Sequence, residues 1–212
     1  MSFIPSEIET YCENHSSALP SVLADLERET HLKTLYPQML SGQLQGAFLS
    51  IVSRITQPRR ILEIGTFTGY SAICLATGLS DDGILHTLES DEELFGLASK
   101  YIELAGLKNK IIQHTGNALE IIPTLAETWD LVFIDAAKKE YLDYYRLIFP
   151  FVKSGGIILA DNTLWDGKVL DPQSGSDAAA IDEFNNFIHT DERVDVVLLP
   201  HRDGISVIRK RA

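Results

Sequence analysis

From Arg60 onward the chain alternates short apolar runs with helical stretches, and this alternation restricts the fold more than any other feature. The runs "RILEIG", "ILHTLES", "KIIQHTG", "DLVFIDA" and "GIILADN" are separated by "YSAICLATGL", "DEELFGLASKYIELAG", "ALEIIPTLAE" and "EYLDYYRLIFPFV". Near-continuous apolar runs of strand length read as strands buried on both faces, which is the pattern of a parallel sheet between helices. The chain closes on "VDVVLLPHRDGISVIRK", two strand-like runs around Pro200, Asp203 and Gly204, which predicts an antiparallel hairpin. Residues 1–57 have helical spacing in "PSEIETYCENH", "SSALPSVLADLERETHLKTL" and "SGQLQGAFLSIVSRI". The expectation is an α/β fold with a seven-stranded, mostly parallel sheet, an antiparallel C-terminal hairpin strand and helices on both faces. It forms a single domain over residues 1–212, divided into a helical N-terminal part (1–57) and an α/β core (58–212). The polar stretch "DPQSGSDAA" (171–179) reads as a mobile surface loop.

A chain of 212 residues with 45% hydrophobic content buries one substantial core. Its net charge of −12 repels phosphate backbones and anionic headgroups, so nucleic acid and membrane surfaces are disfavoured as partners. Two cysteines, Cys12 and Cys74, lie far apart without metal-type spacing, which fits a reducing cytoplasm. The polar, acidic N-terminus and the lack of an uninterrupted apolar run of about 18 residues point to neither export nor membrane insertion.

Ligands of an open parallel sheet gather beyond the carboxyl ends of its strands. The first strand ends in "ILEIGTFTGYS", where Gly65 and Gly69 permit a tight turn before a helix beginning near Tyr70. The turn is E-x-G-x-x-x-G and lacks the Gly-x-Gly pair of a dinucleotide fingerprint. The second strand ends on Glu89, a carboxylate placed to accept both hydroxyls of a ribose. Glu63 adds a second negative group, which suits a cationic nucleoside such as S-adenosylmethionine better than a polyphosphate. A plain turn glycine and a solvated acid remain the alternatives.

The strand "DLVFIDA" ends on Asp135, and "GIILADN" ends on Asp161 and Asn162. If these strands are neighbours, three hard oxygen donors converge, which suits Mg²⁺, Mn²⁺ or Ca²⁺ rather than zinc and leaves positions open for substrate. Asp161-Asn162 as a turn and Asp135 as a helix cap is the competing account. Lys138 follows three residues after Asp135, and an ammonium beside a metal cluster can have its pKa lowered and so become a general base, with a surface salt bridge as the competing role. The six histidines form no H-x-H or H-E-x-x-H pattern, and no G-x-S-x-G elbow is present.

The ordered stretches "PQMLSGQLQGAFLSIV", "ILEIGTFTGYSAICLA", "GNALEIIPTL", "DLVFIDAAKKEYLDYY", "SGGIILADNTLWDGKV" and "LLPHRDGISVIRK" closely resemble the cation-dependent class I O-methyltransferases. This is the group containing caffeoyl-CoA and catechol O-methyltransferases, and its bacterial members are the nearest in style. The resemblance implies a Rossmann-like class I methyltransferase fold and S-adenosylmethionine as cofactor. It puts Ser41 near the cofactor's methionine part, Glu63, Gly65, Thr66 and Tyr70 at the glycine turn, and Ser71 at the carboxylate end. Glu89 falls at the ribose, Ala118 at the adenine, and Asp135 close to both cofactor and substrate. It further implies a divalent metal on Asp135, Asp161 and Asn162, with Lys138 as base, and a homodimer. Trp165 and Asp166 would border the acceptor pocket. Where the family often has Asp-Ala-Asp-Lys this chain has "DAAK", so Ala137 lacks one acidic side chain. Basic contacts for a coenzyme A ester are not evident.

The expected activity is transfer of a methyl group to a hydroxyl of a catechol-like or phenolic small molecule. A hydroxylated uridine in tRNA is the alternative acceptor, one that the acidic balance opposes. A non-catalytic cofactor-binding module is the reading from another class, and it predicts a missing metal ligand or base, which this chain does not show.

Overall fold

The computed structural model describes residues 4–173 and 175–212. The chain divides into two compact units, Glu7–Ala118 and Leu119–Ala212, the second including residues 4–6.

The first unit opens with α1 (Ser6–Asn14) and α2 (Val22–Lys33). The helix expected across residues 16–35 is shorter, because Pro20 has no N–H to donate and its ring disfavours helical backbone at the residue before it. Its carbonyl accepts the Leu23 N–H at 3.0 Å, and the regular helix begins only beyond it. A 3-10 turn at Pro37–Met39 leads to α3 (Gly42–Thr56). Gln57 ends α3 in the left-handed conformation, φ 45°, with Pro58 next in the chain. β1 (Arg60–Ile64) and α4 (Tyr70–Ala76) follow, and every residue of α4 is buried. Small residues let α3 and its neighbour approach closely: Ser50 and Ser53 donate their hydroxyls to the Cys74 and Leu75 carbonyls at 3.2 and 2.5 Å. At Gly78 an added Cβ would lie 2.2 Å from the Ser53 carbonyl carbon, so glycine is required there. β2 (Ile84–Glu89) pairs parallel with β1, and the register sets Glu63 opposite Thr87. After α5 (Phe95–Leu104), β3 (Ile111–Thr115) pairs parallel with β2.

A short helix, α6 (Ala118–Ile121), begins at the junction. The second unit then runs through β4 (Trp129–Ile134), α7 (Tyr141–Ile148), β5 (Val152–Asp161), α8 (Asp177–Thr190), β6 (Val194–Leu199) and β7 (Ile205–Lys210). β4 and β5 are parallel, with Ile134 opposite Ala160. β7 runs antiparallel to both of its neighbours, β5 and β6. Trp129, Phe133, Tyr141, Tyr145 and Phe184 are completely or almost completely buried; each side chain of this kind contributes on the order of 1.5–3 kcal/mol of transfer free energy. The stretch read as a loop over 171–179 is shorter at its end: the Ser176 hydroxyl accepts the Ala179 N–H at 3.2 Å and caps α8 from Asp177. Ser174, within that stretch, lies outside the described residues.

Across the chain the strands follow the order β3-β2-β1-β4-β5-β7-β6, the expected seven-stranded, mostly parallel sheet with its reversed C-terminal strand. Among the described residues no helix is long and apolar enough to cross a membrane.

Candidate active site

In the first unit the parallel register, rather than sequence proximity, builds the acidic end of β1. Glu63 is fully buried, and Thr87, its register partner, donates its hydroxyl to Glu63 Oε2 at 2.5 Å. With that proton committed, Thr66 Oγ1 supplies the proton of its own 2.5 Å contact with Thr87 Oγ1. Gly65, φ 101°, and Thr66 donate their N–H groups to the Leu88 carbonyl at 2.9 and 3.1 Å, which folds the turn onto β2. Gly69, φ 91°, precedes α4; its absent Cβ would meet Ala98 only at ordinary contact distance, so conformation rather than room demands glycine there.

Glu89 ends β2 as expected and is already oriented. Its Oε2 accepts the Phe67 N–H at 2.7 Å and its Oε1 accepts the Asp91 N–H at 3.0 Å. Oε2 retains a lone pair for a further hydroxyl, while Oε1 also accepts the Ser90 hydroxyl in a long contact of 3.5 Å that a ligand hydroxyl could replace. Glu89 and Phe67 line a cleft of about 610 Å³ with Tyr36, Met39, Lys33 and Lys100 among the other lining residues. The remaining cofactor candidates do not line it. Ser41, Thr66, Tyr70, Ser71 and Ala118 are buried, and Gly65 is half-buried. Both cleft lysines bridge to Glu29, at 2.6 Å from Lys33 and 2.5 Å from Lys100. Those two bonds and one from the Tyr101 hydroxyl hold the Glu29 carboxyl down at about 2.

In the second unit β4 and β5 end together. Because Ile134 faces Ala160 in the parallel register, the next residues along are Asp135 and Asp161. The Asp161 carboxylate is buried and its Oδ1 accepts the Asn162 N–H at 2.8 Å. Asn162 takes φ 55°, a left-handed conformation that asparagine tolerates better than most residues. Lys138, in a 3-10 turn (Lys138–Glu140) ahead of α7, donates to Asp135 Oδ1 at 2.8 Å and to the Tyr141 hydroxyl at 2.7 Å.

Without a cation at the strand ends, Lys138 is surrounded by opposing influences. Burial does oppose its charge, but the contacts with Tyr141 and Asp135 outweigh burial and hold the ammonium above the ordinary lysine range. Tyr141, fully buried, has its phenol pushed up by desolvation, so it is neutral at ordinary pH.

Two carboxylates and one carboxamide are hard oxygen donors of the kind magnesium or calcium takes. Among the described residues no group of three or more His, Cys, Asp and Glu side chains is placed to hold a metal. The donor set fits a hard cation and does not fit a thiolate- or imidazole-seeking one.

Trp165, Asp166 and Gly167 all have positive φ, 47°, 54° and 75°. The segment is strapped to the β6–β7 turn: the Leu164 N–H donates to the Asp203 carbonyl at 2.9 Å, and the Asp166 N–H to Asp203 Oδ1 at 2.5 Å. The Lys138 ammonium lies 5.8 Å from the centre of the Trp165 ring, whereas the Asp166 side chain is exposed and pairs with Lys168 at 3.6 Å. Thr87 and Tyr141 are the two residues that sequence reasoning missed. Tyr141 stands three residues after Lys138, on the same face of a helical turn, and that spacing was the available signal; Thr87 had none short of the register.

A mostly parallel seven-stranded sheet with a reversed β7 between β5 and β6, and an acid-bearing glycine turn in front of α4, is the class I methyltransferase arrangement. The chain belongs to the O-methyltransferase family, whose model matches residues 13–211. It is 32% identical over 196 residues to caffeoyl-CoA O-methyltransferase 2 of Eucalyptus globulus, covering 86% of this chain and 79% of that one. The O-methyltransferase of Bacillus cereus, solved in complex with SAH, is 30% identical with a TM-score of 0.90, covering 97% of each chain. The O-methyltransferase TomG of Streptomyces achromogenes, involved in tomaymycin synthesis and solved with SAM, is 28% identical with a TM-score of 0.90, covering 97% of this chain and 96% of that one.

Proposed function

We propose that the protein transfers the methyl group of S-adenosylmethionine to a hydroxyl of a catechol-like or phenolic small molecule. In this reading a divalent cation is held by Asp135, Asp161 and Asn162, and Lys138 is the base. The observation that carries it is the register that ends β4 and β5 on successive acids, with Lys138 hydrogen-bonded to the first of them.

The cofactor assignment is supported by Glu89, whose orientation by two backbone N–H groups suits it to a ribose. Charge supports it as well: the cleft beside Glu89 is lined by four carboxylates, Glu29, Glu89, Asp91 and Glu93, against two lysines, Lys33 and Lys100, a formal excess of two negative charges. Such a cleft favours a sulfonium cation over a pyrophosphate or the phosphates of coenzyme A. The relatives solved with SAM and SAH are consistent with this choice.

Transfer forms an oxygen–carbon bond to the acceptor and breaks the sulfur–carbon bond of the sulfonium, leaving a neutral thioether. The hydroxyl proton goes to Lys138 Nζ in its neutral amine form, so the ammonium first gives up one proton to solvent and is regenerated by the transfer. A free phenol has a pKa of about 10 and is a poor nucleophile at neutral pH. A divalent cation held by Asp135, Asp161 and Asn162 would supply Lewis acidity that favours the phenolate. The residues themselves hold the acceptor hydroxyl in line and provide a proton store next to it. Trp165 and its segment are assigned to the acceptor, with Asp166 at the rim. A homodimer is also proposed, on the family resemblance, and light scattering tests it.

The decisive experiment is turnover on catechols, flavonoids and coenzyme A esters with and without Mg²⁺ and Mn²⁺. Catechol methylation that EDTA removes, and that Asp161→Ala abolishes, is expected. Activity indifferent to both would refute the metal assignment, and activity confined to coenzyme A esters would refute the acceptor class.

A further inference from the structure

We propose that Tyr141 is a positioning residue for Lys138, an anchor that stays with the lysine whatever Asp135 binds. The inference rests on the methyl-transfer reading above and deepens it. The Tyr141 hydroxyl is fully buried and sits at a junction of three groups. It accepts from Lys138 Nζ at 2.7 Å and donates to the Asp161 carbonyl at 3.1 Å, with the Ile134 carbonyl at 3.4 Å as a weaker second acceptor. One oxygen thus ties the lysine to the last residues of both β4 and β5, the strands whose ends carry the acids.

The two partners of Lys138 are not equivalent. Asp135 Oδ1, at 2.8 Å, belongs to the proposed cation-binding set, so its lone pairs are contested. The phenol oxygen of Tyr141 is not in that set, and its only proton is committed to main-chain carbonyls, which leaves its lone pairs to the ammonium. A lysine tethered to Asp135 alone would swing once the carboxylate turned to another partner, because a four-carbon stem has many rotamers. Tethered to Tyr141 as well, it remains at the end of β5 beside Trp165.

Tyr141→Phe removes one oxygen and keeps the ring, which packs edge-on to Phe184 with centroids 5.6 Å apart. The loss of a hydrogen bond to a charged group predicts a fall in kcat of about tenfold to a hundredfold. The KM for S-adenosylmethionine, measured on the Mg²⁺-loaded enzyme with a catechol acceptor, should move less than about twofold. In a Lys138→Met background the same change should cost nothing further in kcat, because a residue that acts through Lys138 has nothing left to position. A merely structural tyrosine would cost the same in both backgrounds, and that additivity would overturn the proposal. A second readout needs no turnover: in ¹³C-lysine NMR the Lys138 Cε signal should be rigid in the wild type and mobile in Tyr141→Phe. An equally rigid Lys138 in both proteins overturns the anchor. An inactive wild type with a Tyr141-dependent Lys138 signal instead overturns the methyl-transfer reading and leaves the anchor standing.

Discussion

Thr87→Val tests whether a hydroxyl supplied by the neighbouring strand holds the acidic end of β1 together. Valine has nearly the shape of threonine, so the buried volume beside Glu63 is kept and only the hydroxyl is lost. Two bonds go with it: the donation to Glu63 Oε2 at 2.5 Å, and the acceptor that Thr66 Oγ1 uses at 2.5 Å. All three side chains are buried, with exposures of 0% for Glu63 and Thr87 and 2% for Thr66, so water does not readily replace the lost partner. Leaving a buried polar group short of a partner costs about 1–3 kcal/mol, and more when the group is charged, so about 2 kcal/mol is a conservative expectation. For a chain of this length each kcal/mol lowers the thermal midpoint by roughly 2–4 °C, which predicts a fall of about 6 °C by calorimetry. If Glu63 also serves the cofactor, the affinity for S-adenosylmethionine measured by titration calorimetry drops about tenfold, the equivalent of about 1.4 kcal/mol. Thr115→Val, at an exposed position on β3, is the control and should stay within about 0.5 kcal/mol of the wild type. A Thr87→Val protein with the midpoint and affinity of the wild type would refute the argument that the register-made bond matters.

Two further outcomes follow from packing and charge. Gly78→Ala would put a Cβ 2.2 Å from the Ser53 carbonyl carbon and 2.4 Å from the Arg54 nitrogen, both main-chain atoms that have nowhere to go; a loss of about 3 kcal/mol or more is expected in urea unfolding, and a wild-type midpoint would mean that α3 shifts freely. The Asp191 carboxyl is held down at about 2, chiefly by its bonds to the Arg193 guanidinium and also by the Tyr145 hydroxyl. A depressed carboxyl stabilises the fold above its ordinary value near 4 and loses that contribution as pH falls towards 2, so Asp191→Asn should flatten the decline of the urea midpoint between those pH values, and an unchanged slope counts against the pairing.

The strands and the site acids were legible because each rests on a local pattern: an apolar run long enough for a strand, then a carboxylate where the run stops. What local pattern does not carry is which residue of the next strand arrives alongside. Glu63 and Thr87 are 24 residues apart in hydrogen-bond contact, and Tyr141 reaches the carbonyl of Asp161 over 20 residues. The surroundings of Lys138 were out of reach for the same reason. A lysine near acids is visible in the sequence, but that its Nζ meets a buried phenol oxygen at 2.7 Å as well as Asp135 at 2.8 Å is not.

The pairing of Asp135 with Asp161 has its own upstream cause. Trp129 faces Val152 while Leu131 faces Ile157, so β5 spends five residues where β4 spends two. The excess is absorbed at Lys153–Gly156: Gly155 adopts φ 80°, and at Gly156 a Cβ would lie 2.8 Å from Val152 Cγ1 and 2.9 Å from the Lys153 carbonyl oxygen. Lys153 Nζ, 2.6 Å from Asp130 Oδ1, fastens the irregular stretch to β4. Regular pairing resumes at Ile157, which is why the apolar run alone placed the start of the strand at Gly156 rather than at Val152. A slip of one residue here would turn every later side chain of β5 to the opposite face. Asp161 would then leave Asp135, and Asn162 would take its place in the register. The two glycines therefore decide which acids meet at the strand ends, although they lie at the far end of β5 and contribute no side chain to the chemistry.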